Sequence, residues 1–112
     1  MEMVVKIIKI NKLLKLSRTI NNNYVIKKST IKILLSGTYL LHANISLENR
    51  GIIGLYINTD EKLSNDIIYN KSNIFINKIF VLNEKDIISF KNLSLEDIMQ
   101  KKDIEISLHK LA

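Results

Sequence analysis

Between Tyr39 and Leu47 every second residue is apolar. Tyr39, Leu41, Ala43, Ile45 and Leu47 hold the odd positions, while Thr38, His42, Asn44 and Ser46 hold the even ones. Leu40 alone interrupts the alternation. A period of two sustained over this length is a β-strand with one face on a core and the other toward water or a partner. Ser36-Gly37, just before it, reads as a turn, because glycine takes backbone angles that a Cβ forbids. A fold built on this stretch needs further strands to pair with it and to cover its apolar face.

With 112 residues the chain is long enough for one real core and too short for two domains of ordinary size. Cysteine is absent, which excludes a disulfide framework and any thiolate metal site. Proline is also absent and glycine occurs three times, so the chain holds no collagen-like stalk. Lys and Arg number 17 against 11 Asp and Glu. That excess would suit nucleic acid, but only Arg18 and Arg50 are arginines and the lysines are spread along the sequence instead of forming a run. Together with abundant Ile and Asn, all written in A/T-rich codons, the lysines read as genome bias on a solvated surface, and nucleic acid is not expected as a partner.

The first 23 residues are expected to form an extended segment ahead of a domain spanning residues 24–112. Lys6, Lys9, Lys12 and Lys15 interrupt the apolar run that a signal peptide or membrane span requires, so no membrane insertion is expected. On a helical wheel the apolar residues gather into no single stripe. Val5, Ile7, Ile8 and Ile10 instead read as strand fragments, able to pair with their own sheet or to be donated to a neighbouring subunit.

Beyond Asn21-Asn-Asn23 the chain is a series of short β-like runs. Tyr24–Ile26 and Thr30–Leu35 come first, then the long strand, then a turn at Glu48-Asn-Arg-Gly51. Ile52–Asn58 follows, with Gly54 marking a bulge or a close backbone approach. A polar loop covers 59–66, and after Ile67–Tyr69 a turn is expected at 70–73. The strand Ile74–Leu82 is apolar on both faces, with Ile74, Ile76, Phe80 and Leu82 on one and Phe75, Ile79 and Val81 on the other. Ser94–Lys101 is expected to form one helical turn capped by Ser94, with Asp97 three residues on. The chain closes on the alternating Ile104, Ile106 and Leu108. Roughly eight to ten short strands with no βαβ rhythm predict an all-β antiparallel sandwich or jelly roll.

Three features in this order also resemble a known superfamily. A small residue, Gly37, any residue and Tyr39 leading into an alternating strand is similar to the Gly-x-Tyr segment of the tumour-necrosis-factor-like jelly rolls. These include the globular head of the complement first component and the heads of collagen-like bacterial spore-surface (exosporium) proteins. Leu82-Asn-Glu-Lys-Asp-Ile-Ile resembles the family's Leu-x-x-Gly-Asp-x-Val segment, with Lys85 where the family prefers glycine. Asp103–Leu111 resembles its terminal strand, which usually lies centrally in the sheet. The resemblance covers residues 24–112. It implies a homotrimer packed about a threefold axis and a place on a bacterial cell or spore surface, with a collagen-like stalk or anchor protein as a further partner.

Catalytic patterns are missing. His42 and His109, the only histidines, lie in no metal-ligand spacing, and no serine sits in a nucleophile elbow. Asp60, Glu61 and Asp66 lack the ordered spacing of a calcium loop. Neither enzymatic activity nor a cofactor is expected. What stands out is apolar or aromatic residues on faces that should be wet: Leu40, Tyr56, Phe75, Ile79 and Phe90. Grouped together they predict a subunit interface. The expected function is therefore structural self-assembly, as a trimer that the N-terminal segment could link into a fibre. Removing Met1–Arg18 should then leave a compact trimer. The alternative is a receptor- or glycan-binding head.

Overall fold

The computed structural model describes residues 6–58 and 67–112. Nine antiparallel strands run in the order β1 (Lys6–Ile8), β2 (Thr19–Ile20), β3 (Tyr24–Lys27), β4 (Thr30–Ile33), β5 (Gly37–Ile57), β6 (Ile68–Leu82), β7 (Ile87–Asn92), β8 (Ile98–Gln100) and β9 (Glu105–Lys110). No α-helix occurs among the described residues. The curled sheet closes on one core, and the fold is the all-β, jelly-roll type of sandwich that the alternation predicts.

The long strand β5 organises the rest. Tyr39, Leu41, Ala43, Ile45 and Leu47 are all buried, so the odd residues face the core as the period requires. Its first half is flanked by β6 on one side and β9 on the other, and its second half by β6 and β7. Beyond β7 the sheet continues through β4, β3 and β2.

Two expected turns are absent. Glu48-Asn-Arg-Gly51 lies within β5, where the register shifts from Ser46 opposite Asn73 to Gly51 opposite Lys71. This irregularity bends the strand without reversing it. Residues 70–73 likewise belong to β6, paired with β5 across the bend. A polar run on a solvent-facing strand has the composition of a turn, and the ladder with β5 decides between them.

Glycine also acts differently from expectation. No glycine has positive φ; Asn11, Lys28, Asn58 and Lys85 take the left-handed positions instead. Gly37 serves close approach, since a Cβ there would lie 2.5 Å from the Ala112 carbonyl oxygen. Gly54 does the same, a Cβ meeting Leu93 Cδ1 at 2.7 Å.

The N-terminal segment contributes side chains to the same core as residues 24–112. β1 pairs with β8 of its own chain, with Ile7 opposite Met99 and Ile8 opposite Ile98. Asn11 N–H then donates to the Asn92 carbonyl at 3.0 Å, Leu14 N–H to Phe90 at 2.8 Å and Leu16 N–H to Lys28 at 2.7 Å. Ile8, Leu14 and Leu16 are buried, while Ile7 and Ile10 are exposed. Of the two readings of this segment, Ile7 and Ile8 pair within their own sheet and Ile10 N–H is held by Asp97; Val5 lies outside the described residues. Removal of Met1–Arg18 would take three side chains out of the core, and a compact remainder is no longer expected.

Ser94–Lys101 is not helical. Ser94 Oγ accepts the Ile52 N–H at 2.8 Å, and the chain then enters β8. Asp97 accepts the Ile10 N–H at 3.0 Å and Lys9 Nζ at 3.2 Å, tying the N-terminal segment to the entrance of β8. These hydrogen bonds hold the Asp97 carboxyl below its ordinary pKa.

Candidate assembly face

The outward side chains of β6, the first half of β5 and β9 form one three-stranded face, positioned by the same alternation that fills the core. Register places Val81 opposite Thr38, Ile79 opposite Leu40, Asn77 opposite His42 and Phe75 opposite Asn44. On the other side of β5, His109 stands opposite Leu40, Ser107 opposite His42 and Glu105 opposite Asn44. Leu111 follows His109 by two positions. The exposed apolar area is concentrated on β6: Phe75 is 65 %, Ile79 64 % and Val81 80 % accessible.

The charge pattern of this face is unlike that of the rest of the chain. Between Phe75 and Val81 and across from them on β5 and β9, no described Lys or Arg holds an outward position and Glu105 is the one carboxylate; Lys71 shares the outward parity of β6 but lies beyond the bend. Both histidines lie on it. His42 Nδ1 is in hydrogen-bond contact with Asn77 Oδ1, and His109 is exposed beside Leu40. Asn44 Oδ1 is buried with no hydrogen-bond partner, an unsatisfied acceptor between Phe75 and Glu105.

Three of the five expected interface residues, Leu40, Phe75 and Ile79, thus meet on one face. Tyr56 is half-buried on the second half of β5, opposite Ser89, away from the other three. Phe90 is fully buried and belongs to the core with Ile88 and Leu55, so it cannot serve an interface. The run Ile87-Ile-Ser-Phe90 is too short to fix which parity points inward, and β7 turns Phe90 in. Val81 and Leu111 complete the face; the parity of β6 alone is enough to find Val81.

Free strand edges accompany this face. Among the described residues β6 and β9 each pair with β5 alone, so β9 is an edge strand there and not the central one that the resemblance implies. No group of three or more His, Asp or Glu side chains gathers among the described residues to hold a metal. The acidic positions Asp60, Glu61 and Asp66 lie outside them. No protein family and no curated protein matches this chain.

Proposed function

We propose that this chain is a non-enzymatic structural subunit that assembles with copies of itself by burying the outer face of β6, β5 and β9. One observation carries the reading: Phe75, Ile79 and Val81 stand largely in water on a stretch of face where no described Lys or Arg holds an outward position, in a chain of net charge +6. Depletion of charge around aromatic and aliphatic side chains is the compositional mark of an interface core. Apolar side chains grouped this way are a liability on a solitary molecule.

Like chains are the partner this face suits, because lysine on the remaining surface keeps copies from associating anywhere else. The edges of β6 and β9 that are unpaired among the described residues would be shielded in the same assembly. A threefold arrangement and a bacterial cell or spore surface layer are the finer form of the proposal, and the resemblance to tumour-necrosis-factor-like heads supports them.

The test is Phe75→Lys. Phe75 is exposed in the single chain, so the substitution leaves the fold intact but places an unpaired charge in the assembled interface. Light scattering should then give the mass of one chain with unchanged circular dichroism. A mass equal to that of the wild type would refute the assignment of this face.

A further inference from the structure

Lysines from three separate parts of the sequence, Lys6, Lys15 and the pair Lys101-Lys102, line two adjoining cavities beside β1. Lys6, Lys15 and Gln100 line a cavity of about 280 Å³ together with Ile7 and Ile8. Lys6 and Gln100 are shared with a second cavity of about 330 Å³, which Lys101, Lys102 and Asp103 complete. The groove so formed is built on fixed backbone. Gln100 is buried, and its Nε2 donates to the Lys102 carbonyl at 2.7 Å. Lys101 N–H donates to the Ser46 carbonyl at 2.9 Å.

Charge in the groove is only partly matched. Lys6 pairs with Asp103, and Lys102 pairs with Glu105 at 3.6 Å. Lys15 and Lys101 are in no ion pair among the described residues. One unpaired positive charge therefore borders each of two adjoining cavities, Lys15 the first and Lys101 the second, and the two cavities share Lys6 and Gln100. A phosphate monoester carries about −1.5 to −2 near neutral pH. Lysine is a compact point charge suited to phosphate, whereas a planar carboxylate is better matched by the arginine fork that is missing here.

We propose that the groove between β1 and the 101–103 bend binds a phosphate-bearing ligand, with Lys15 and Lys101 as its primary charge partners and Lys6 and Lys102 behind them. The groove's lining residues lie on β1, β8 and the adjoining bends, and its one link to the assembly face is the Lys102–Glu105 ion pair.

The experiment is an amide NMR titration of the full chain at constant ionic strength with inorganic phosphate and, separately, glycerol 3-phosphate. Saturable shifts are expected at Lys15, Lys101 and Lys102. Tighter binding of glycerol 3-phosphate would identify a monoester ligand, and tighter binding of inorganic phosphate the free ion. Lys15→Gln and Lys101→Gln, both at exposed positions, should each weaken binding about tenfold. The pair Lys27→Gln and Lys28→Gln, on the β3–β4 hairpin, should leave it unchanged. Absence of saturable shifts with either probe would overturn the proposal. So would an equal loss in the hairpin variant, which would mean diffuse surface charge.

Discussion

Asn92 reaches from the end of β7 to the backbone of Ile8, its buried Nδ2 donating to the Ile8 carbonyl at 3.1 Å. The same amide donates to the carbonyls of Lys9 and Glu96, each at 3.3 Å, and its Oδ1 accepts the Ser94 N–H at 2.9 Å. One side chain thus satisfies backbone groups of two segments, residues 8–9 and 94–96, that are far apart in sequence. Replacing it with Leu strands those buried carbonyls, and unpaired buried groups cost about 1–3 kcal/mol each when water cannot reach them. Asn92→Leu should lower stability by roughly 2–4 kcal/mol in a urea titration. A loss within 0.5 kcal/mol of zero, about the size of an ordinary surface substitution, would show that the N-terminal segment docks without it.

Lys85 holds φ at 76°, in the turn where Asp86 N–H donates to the Asn83 carbonyl at 3.0 Å. A left-handed conformation costs a side-chain-bearing residue about 1–2 kcal/mol, and part of that is returned through the greater freedom of an unfolded glycine. Lys85→Gly should therefore raise stability by about 0.5–1 kcal/mol, read as a higher denaturation midpoint with unchanged slope.

Acid should release the N-terminal segment first. The Asp97 carboxyl sits below its ordinary pKa because the Ile10 N–H and Lys9 favour its charged form. A lowered carboxylate pKa stabilises the fold above the unfolded value of about 3.9 and loses that stabilisation as pH falls through it toward the folded value. Hydrogen exchange at the Ile10 amide should accelerate relative to β5 between about pH 5 and pH 3. In Asp97→Asn this added acid sensitivity should be gone.

Alkali acts on the other side of the core. Burial raises the pKa of Tyr39, whose hydroxyl donates to the Leu35 carbonyl at 2.6 Å. Its contribution is complete below the unfolded value of about 10 and declines as pH rises through it toward the folded one. Tyr39→Phe should cost about 1 kcal/mol at neutral pH, the ordinary worth of such a hydrogen bond. The same variant should flatten the stability loss above pH 10.

Alternation was the most legible signal in the chain. It put Tyr39, Leu41, Ala43, Ile45 and Leu47 inward and predicted the outward set on β6, because a strand's parity follows from its own residues. The bend at 47–50 and the unbroken course of β6 were hidden, since both depend on pairing with a distant strand. Where the N-terminal segment docks was hidden for a related reason. Its isolated apolar residues make no periodic run, and only the Asn92 amide and the Asp97 carboxylate, more than 80 positions away, show where Ile8 and Ile10 belong. Lysines that look dispersed in sequence likewise gather in space, as Lys6, Lys15, Lys101 and Lys102 do.

Sedimentation equilibrium of the unmodified chain, run over a wide range of concentrations, tests the assembly claim most directly. The proposed burial of the face of Phe75, Ile79 and Val81 predicts a species of more than one chain persisting on dilution, and its threefold form predicts three times the 12.9 kDa of one chain. A single species of 12.9 kDa at the highest concentration would contradict it.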